Sequence, residues 1–423
     1  MKNYQEFIQN LKTLISFKTV SAPAEEDAPF GKENKKALNF FLSVAKDMGF
    51  DTINYDNYAG EVCFGNGEEI GIIGHLDVVP TGIGWQTDPF VLTEKDDFLI
   101  ARGLMDDKAP TLLCLYALKE LKDSGIKVNK KFRLFAGCNE ETGWQDFEYL
   151  KTKTVMPEYG ISPDGNFPIS YAEKGITVVD FELPLLKRFH NLKGGTVINA
   201  VCDYAQVEAD VEGINLELLN KFGLTLNGNV IESRGKAAHG STPRLGKNAL
   251  KPLFEYFYAL GEDVKNAIDY LFNDKAGVFN AITEQGGITF SPDLAKEENG
   301  KIIISCDCRI PAPLTKEDLF KLFDLSGLKY AYSEKHEPMM VEKDGWFVKT
   351  LLNAYNSITG ENEPPASMGG STFARCFKKG CAFGPDFKTY ETNIHDANER
   401  VKKSDLLTAY EIYKKAIFDL ALL

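Results

Sequence analysis

Five short segments of the chain each carry a side chain able to ligate a metal, and each sits where an extended run meets a loop. They are Gly74-His75-Leu76-Asp77, Leu104-Met105-Asp106-Asp107-Lys108, Asn139-Glu140-Glu141-Thr142-Gly143, Ser162-Pro163-Asp164-Gly165 and Ile394-His395-Asp396-Ala397-Asn398-Glu399. His75, Asp106, Glu141, Asp164 and His395 form a donor set that can hold two divalent cations, with one carboxylate shared and Glu140 spare as a base. Two metals flanking an activated water are a general way to hydrolyse an amide. Mixed imidazole and carboxylate donors suit zinc, and manganese or cobalt also fit. No single segment is diagnostic. His-x-Asp recurs in surface turns, Asp106-Asp107 reads equally well as a helix cap, and Glu140-Glu141 as a solvated loop pair. The order and joint presence carry the inference, and two of the chain's five histidines fall inside these segments.

Such residues need a frame that brings them together. The run Ile70-Gly71-Ile72-Ile73-Gly74 reads as a buried strand within 69–79 that delivers His75 at its end. Residues 106–121 read as a helix, with Asp106 or Asp107 as its cap and Pro110 in its first turn. A second strand, 132–138, ends at Asn139-Glu140-Glu141. This alternation predicts a largely parallel α/β sheet, in which function collects beyond the carboxyl ends of the strands. Tyr4, Phe7, Ile8, Leu11 and Ile15 fall at helical spacing and predict an amphipathic first helix.

The pattern changes near Glu173-Lys174-Gly175. Alternating runs at 177–183 and 204–209, with helices at 250–261 and 316–325, predict an α+β domain with one exposed sheet face. Helical patterns at 345–358 and 403–422 follow. The expected organisation is an α/β catalytic domain, 1–174 and 339–423, interrupted by an inserted α+β domain, 175–338.

At 423 residues the chain can bury two cores. Its net charge of -13 argues against nucleic acid and anionic membranes as partners. No apolar run reaches the length of a membrane span. Glu6, Gln9 and Lys12 break any signal-peptide core near the start. With no signal peptide a cytoplasmic location is the default, and the eight cysteines, with no CxxC pair, are expected as buried free thiols. Cys306 and Cys308 would share one face of a strand, where ordinary packing is the expectation.

Four longer motifs add a resemblance: His75-Leu76-Asp77-Val78-Val79-Pro80, Arg102-Gly103-Leu104-Met105-Asp106-Asp107-Lys108, Asn139-Glu140-Glu141-Thr142-Gly143 and Gly235-Lys236-Ala237-Ala238-His239-Gly240-Ser241-Thr242-Pro243. Together they resemble the M20 family of metallopeptidases. Ser162-Pro163-Asp164, Ala382-Phe383-Gly384-Pro385 and the His395–Glu399 segment narrow the likeness to its dipeptidase V group of Gram-positive bacteria. The resemblance implies one metal on His75 and Asp164 and another on Glu141 and His395, bridged by Asp106. It implies Glu140 as general base and Asp77 as the residue orienting His75. The inserted domain would be a lid whose His239 stabilises the oxyanion. Asn199 and Arg309 would hold substrate, and the turn containing Gly370, Ser371 and Thr372 would hold its carboxylate. Two positions depart from the family pattern. Ala109 stands where glycine is usual, and Ser371 replaces a glycine, a strained choice if that position needs φ > 0. The implied activity is two-metal hydrolysis of dipeptides with a free amino terminus, by a monomer whose own lid supplies His239. One alternative is removal of an acyl group from an N-acyl amino acid. The other is a non-catalytic binding protein on the same fold, although Glu140 and every ligand are retained.

Overall fold

The computed structural model describes all 423 residues, Met1–Leu423. The chain divides into two compact units. One comprises Met1–Tyr171, Val341–Ala366 and Thr372–Leu423; the other comprises Ala172–Met340 and Ser367–Ser371.

In the first unit the apolar run ending at His75 forms a strand, Glu68–His75, buried along its last six residues. A strand apolar on both faces belongs at the centre of a covered parallel sheet. It pairs in parallel with Lys130–Gly137 and with Tyr159–Ser162, and the latter pairs in parallel with Lys379–Ala382. Ala59–Gly65 and Asp51–Tyr55 extend the sheet antiparallel beyond Lys130–Gly137. The sheet is therefore mixed, with a parallel centre. Its register sets His75 opposite Gly137 and Ile72 opposite Ile161. The loops carrying Asp77, Glu140, Glu141 and Asp164 consequently leave from one edge.

The helix expected from Asp106 begins two residues later, as Lys108–Asp123. Asp107 occupies the cap position without making a capping hydrogen bond. Its Oδ2 instead accepts from the His75 backbone N–H at 3.2 Å and from the Thr111 hydroxyl at 2.9 Å. The carboxylate has been taken from the helix to tie it to the strand. Gly74 makes this approach possible, because a Cβ there would lie 1.9 Å from Thr111 Oγ1 and 2.3 Å from Asp107 Oδ2. The helix Tyr4–Ser16 buries Phe7, Leu11, Leu14 and Ile15, as its spacing requires. The helix Lys403–Leu422 packs on Lys108–Asp123. The strand Arg400–Lys402 pairs antiparallel with Phe98–Ile100, which places the 395–399 segment beside the 101–106 turn.

The second unit is α+β. Its eight-stranded sheet is antiparallel throughout, with Lys301–Ile310 flanked by Gly175–Pro184 and Thr289–Glu298. Side chains along Gly175–Pro184 alternate between buried and half-buried, the mark of a sheet with one covered face. Val179, Phe181 and Ile304 share a core with Leu253, Phe254 and Phe257 of the helix Leu250–Ala259. Cys306 and Cys308 both lie in that core as free, buried thiols. The helix Lys316–Phe323 starts at a Thr315–Asp318 capping box and ends two residues short of expectation.

One core group of this unit gives a pH signature. Asp293 is fully buried, and its Oδ2 makes no hydrogen bond. Burial first, and then the Asp307 charge, push its pKa from 3.8 up to about 8. The folded state thus binds this proton more tightly than the unfolded chain, so the group's contribution to stability falls as pH rises from 3.8 towards about 8. Asp293→Asn should flatten the fall of melting temperature across that window, as calorimetry at stepped pH would show. An unchanged slope would place the effect elsewhere.

Candidate metal centre

His75 arrives fully buried at the end of its strand. Its Nδ1 lies 3.1 Å from the Asp77 carbonyl oxygen and 3.4 Å from Asp77 Oδ1. Asp77 also reaches the next loop, accepting the Glu140 N–H on Oδ1 and the Glu141 N–H on Oδ2, each at 3.1 Å. One carboxylate thereby sets the tilt of the imidazole and the backbone of both glutamates, as groups behind metal ligands commonly do.

With Nδ1 engaged, His75 Nε2 points at carboxylates: Asp106 Oδ1 at 2.9 Å and Asp164 Oδ2 at 3.8 Å. From the other side His395 Nε2 approaches Asp106 Oδ2 at 2.8 Å and Glu141 Oε2 at 3.3 Å. The two oxygens of Asp106 therefore face two different imidazoles. Ligand atoms of His75, Glu140 and Asp164 lie within 4.8 Å of one another, as do those of His75, Asp106 and Glu141. All the metal-ligating residues read from the sequence converge here, with Glu140 among them.

The electrostatics show what the cluster needs. Burial, and then the surrounding carboxylates, push the Asp164 pKa up to about 8 and lift Glu140 and Glu141 above their usual range. Burial opposes charge on His395, yet its contacts with Asp106 and Glu141 prevail and raise its pKa to about 11. Beyond burial, the acid shifts and the His395 shift reflect a concentration of negative charge that calls for positive charge. His75 Nε2 and Glu141 Oε1 are buried and receive no hydrogen bond. Imidazole nitrogen and carboxylate oxygen are donors suited to divalent zinc, manganese or cobalt. The residues present fit such ions.

Three supporting residues were not assigned roles from sequence. Glu399 is fully buried and accepts from the N–H groups of Gly103 at 3.1 Å and Met105 at 2.7 Å and from Arg102 Nη1 at 2.9 Å. It holds the turn that presents Asp106. Asp146 Oδ2 accepts from the N–H groups of Cys138 at 2.7 Å and Asn139 at 2.9 Å, pinning the base of the Glu140 loop. The buried Lys108 amine donates to the Leu14 and Phe17 carbonyls at 3.1 and 2.8 Å, and burial lowers its pKa to about 7. The Glu399 and Lys108 contacts join distant segments and are invisible to local spacing, while those of Asp146 span seven and eight residues. Only the acidic residue closing the His395–Glu399 motif offered a signal.

The remaining residues singled out in the sequence gather within the second unit, apart from Thr372. The Gly240 N–H donates to the Asn199 carbonyl at 2.7 Å, and Ala200 pairs with His239. His239 is exposed; its Nδ1 lies 2.7 Å from Ser241 Oγ and accepts the Ser241 N–H at 3.2 Å. Arg309 is buried, its Nε donating to both Asp307 oxygens at 3.0 and 2.9 Å and its Nη1 to the Gly369 carbonyl at 3.2 Å. Neither Gly369, Gly370 nor Ser371 has positive φ, so the strain considered for Ser371 does not arise. The Ser371 hydroxyl oxygen is buried without a hydrogen-bond partner. Thr372 falls in the first unit, its hydroxyl accepting the Ala374 N–H at 3.1 Å.

The family model described as peptidase family M20/M25/M40 matches residues 71–419. The chain belongs to this peptidase family. A Staphylococcus epidermidis protein named "Putative dipeptidase" is 33% identical over 460 aligned positions, covering 98% of this chain and 97% of that protein. Among solved structures, human carnosine dipeptidase 1 aligns with TM-score 0.59 at 16% identity, covering 100% of this chain and 98% of the other. An M20 metallo-carboxypeptidase of Sulfolobus solfataricus aligns with TM-score 0.61 at 16% identity, covering 99% and 100%. At such identities these two share the fold. No helix of this M20 peptidase is long and apolar enough to cross a membrane.

In this M20 peptidase, Glu399→Gln should loosen the turn presenting Asp106. Groups behind metal ligands typically contribute about 10–100-fold to metal affinity, and a loss of that order is expected in zinc or cobalt titrations. Unchanged affinity would assign Glu399 to folding alone.

Proposed function

We propose that this M20 peptidase hydrolyses dipeptides bearing a free amino terminus at a two-metal centre, with zinc as the favoured ion and manganese or cobalt as alternatives. The observation that carries the reading is the Asp106 carboxylate, which offers one oxygen towards His75 and the other towards His395. In this reading His75 and Asp164 would hold one ion, Glu141 and His395 would hold the other, and Asp106 would contribute to both. Ions bound there would polarise the scissile carbonyl and lower the pKa of a water towards about 7.

The chain's own residues do the rest. Glu140, its pKa lifted by burial, takes a proton from the attacking water and returns it to the leaving amine. Asp77 keeps that carboxylate in place through the backbone contact at 3.1 Å. His239 accepts the Ser241 N–H on Nδ1, which leaves its proton on Nε2, the form that can donate to a developing oxyanion. The Arg309 guanidinium and Asn199 hold the substrate, its carboxylate meeting the N–H groups of Gly370, Ser371 and Thr372.

The naming of the Staphylococcus epidermidis relative, matched along nearly its whole length, supports dipeptides over N-acyl amino acids. We read the protein as a monomer whose second unit is a lid acting on its own metal centre. Its eight free cysteines suit the reducing cytoplasm.

The metal-loaded enzyme should be assayed on dipeptides, their N-acetylated forms, tripeptides and N-acetyl amino acids. Turnover confined to free dipeptides is expected. Preference for N-acetyl amino acids would replace this reading with the deacylase one. Glu140→Gln should keep its metals and lose about 10²–10⁴-fold in kcat, because an amide cannot take up the proton. Near-normal turnover in the metal-replete variant would exclude Glu140 as the base.

A further inference from the structure

The second unit contains a cavity of about 390 Å³ that none of the roles above employs. Leu245, Phe279, Ile282 and Ile288 line it, together with Lys174 and Thr289. Leu245 and Ile282 are 69% and 71% exposed, unusual for large apolar side chains grouped at one cavity. The cationic side chains at its wall are engaged rather than aimed at a ligand. Lys174 Nζ donates to the Gly287 carbonyl at 2.6 Å, and the Arg244 guanidinium lies over the Phe279 ring at 5.3 Å. The chemistry on offer is therefore that of an uncharged apolar group.

Three observations tie the cavity to the residues read as holding the substrate carboxylate. Thr289 is the cross-strand partner of Arg309. Lys174 feels Arg309 directly, its pKa lowered by burial and then by that guanidinium charge. Ser241 and Thr242, also at the wall, follow His239 in the same turn. A substrate residue whose carboxylate meets Arg309 would have this cavity within reach of its side chain. We propose that the cavity receives the side chain of the carboxyl-terminal substrate residue and selects large apolar ones of the leucine and phenylalanine kind. The proposal rests on the assignment of Arg309 as a carboxylate holder.

Gly287 provides the test. A Cβ there would meet nothing closer than Ile282 Cγ1 at 3.5 Å, and its φ is not positive, so Gly287→Val places methyls in the cavity without backbone strain. Phe279→Ala enlarges the cavity instead. kcat/KM is measured for Ala-Ala, Ala-Leu, Ala-Phe and Leu-Ala, with melting curves for each variant. Wild type should favour Ala-Leu over Ala-Ala by at least about 10–200-fold, the usual worth of a single methylene in an apolar pocket. Leu-Ala should show no such gain. Gly287→Val should collapse the Ala-Leu to Ala-Ala ratio towards one, and Phe279→Ala should lower Ala-Phe more than Ala-Ala. A wild-type ratio near one, or the same ratio in both variants, overturns the proposal. If only N-acetyl amino acids are cleaved, the dipeptidase reading fails while the cavity is still decided. The N-acetyl-leucine to N-acetyl-alanine ratio, in wild type and Gly287→Val, must then show the same collapse.

Discussion

Everything in the first unit turns on how much negative charge can be gathered in one buried place. Glu140 and Asp164 lie with His75 in one group of ligand atoms within 4.8 Å, Asp106 and Glu141 lie with His75 in another, and His395 contacts Asp106 and Glu141. Two like charges at such spacing repel by about 4 kcal/mol even at an effective dielectric near 20. A few of these pairs rival the whole net stability of a domain, about 5–15 kcal/mol. The cluster is tolerable only if positive charge offsets it, supplied by bound protons or by cations. Two imidazoles facing one carboxylate fix where cations would go. Asp106 is the point at which the two halves of the site meet.

The fold meets this constraint by spending further polar groups on holding the ligands still. Asp77 ties His75 to the Glu140 loop, Asp107 ties the His75 strand to the following helix, and Glu399 ties the Asp106 turn to the 395–399 segment. Each of these carboxylates accepts at least one backbone N–H where water is scarce, and Asp107 still keeps its Oδ1 buried without a partner. Gly74 is the steric condition for one of these ties. The parallel centre of the sheet does the coarse positioning, and this buried row of acids does the fine positioning.

The strands, helices and ligand types were legible because they follow local rules. The Ile70–Gly74 run reads as a buried strand from apolarity alone, and 403–422 reads as a helix from period alone. What was not legible depends on distant partners. Asp107 does stand at the cap position, but its carboxylate bonds the His75 N–H and the Thr111 hydroxyl instead of the helix amides. The 367–371 loop lies in the returning part of the chain, yet it belongs with the second unit. There Ser367 Oγ donates to the Gln285 carbonyl at 3.0 Å and Gly369 accepts from Arg309. Glu399 closes the His395–Glu399 motif, but its role there was not legible, since its partners are nearly 300 positions away in sequence. The order of the motifs supplied the likeness to M20 peptidases, and the register of the parallel strands supplies the physical reason that His75, Glu140, Glu141 and Asp164 converge.

The most direct test of this account is the metal content of Asp106→Ala beside wild type, both equilibrated with zinc and measured by elemental analysis after removal of free metal. The account predicts two ions per chain in wild type and loss of both in a variant that still melts cooperatively, because each site gives up the carboxylate oxygen it shares. Two ions retained by Asp106→Ala would contradict it and would mean that the sites are held independently by their outer ligands.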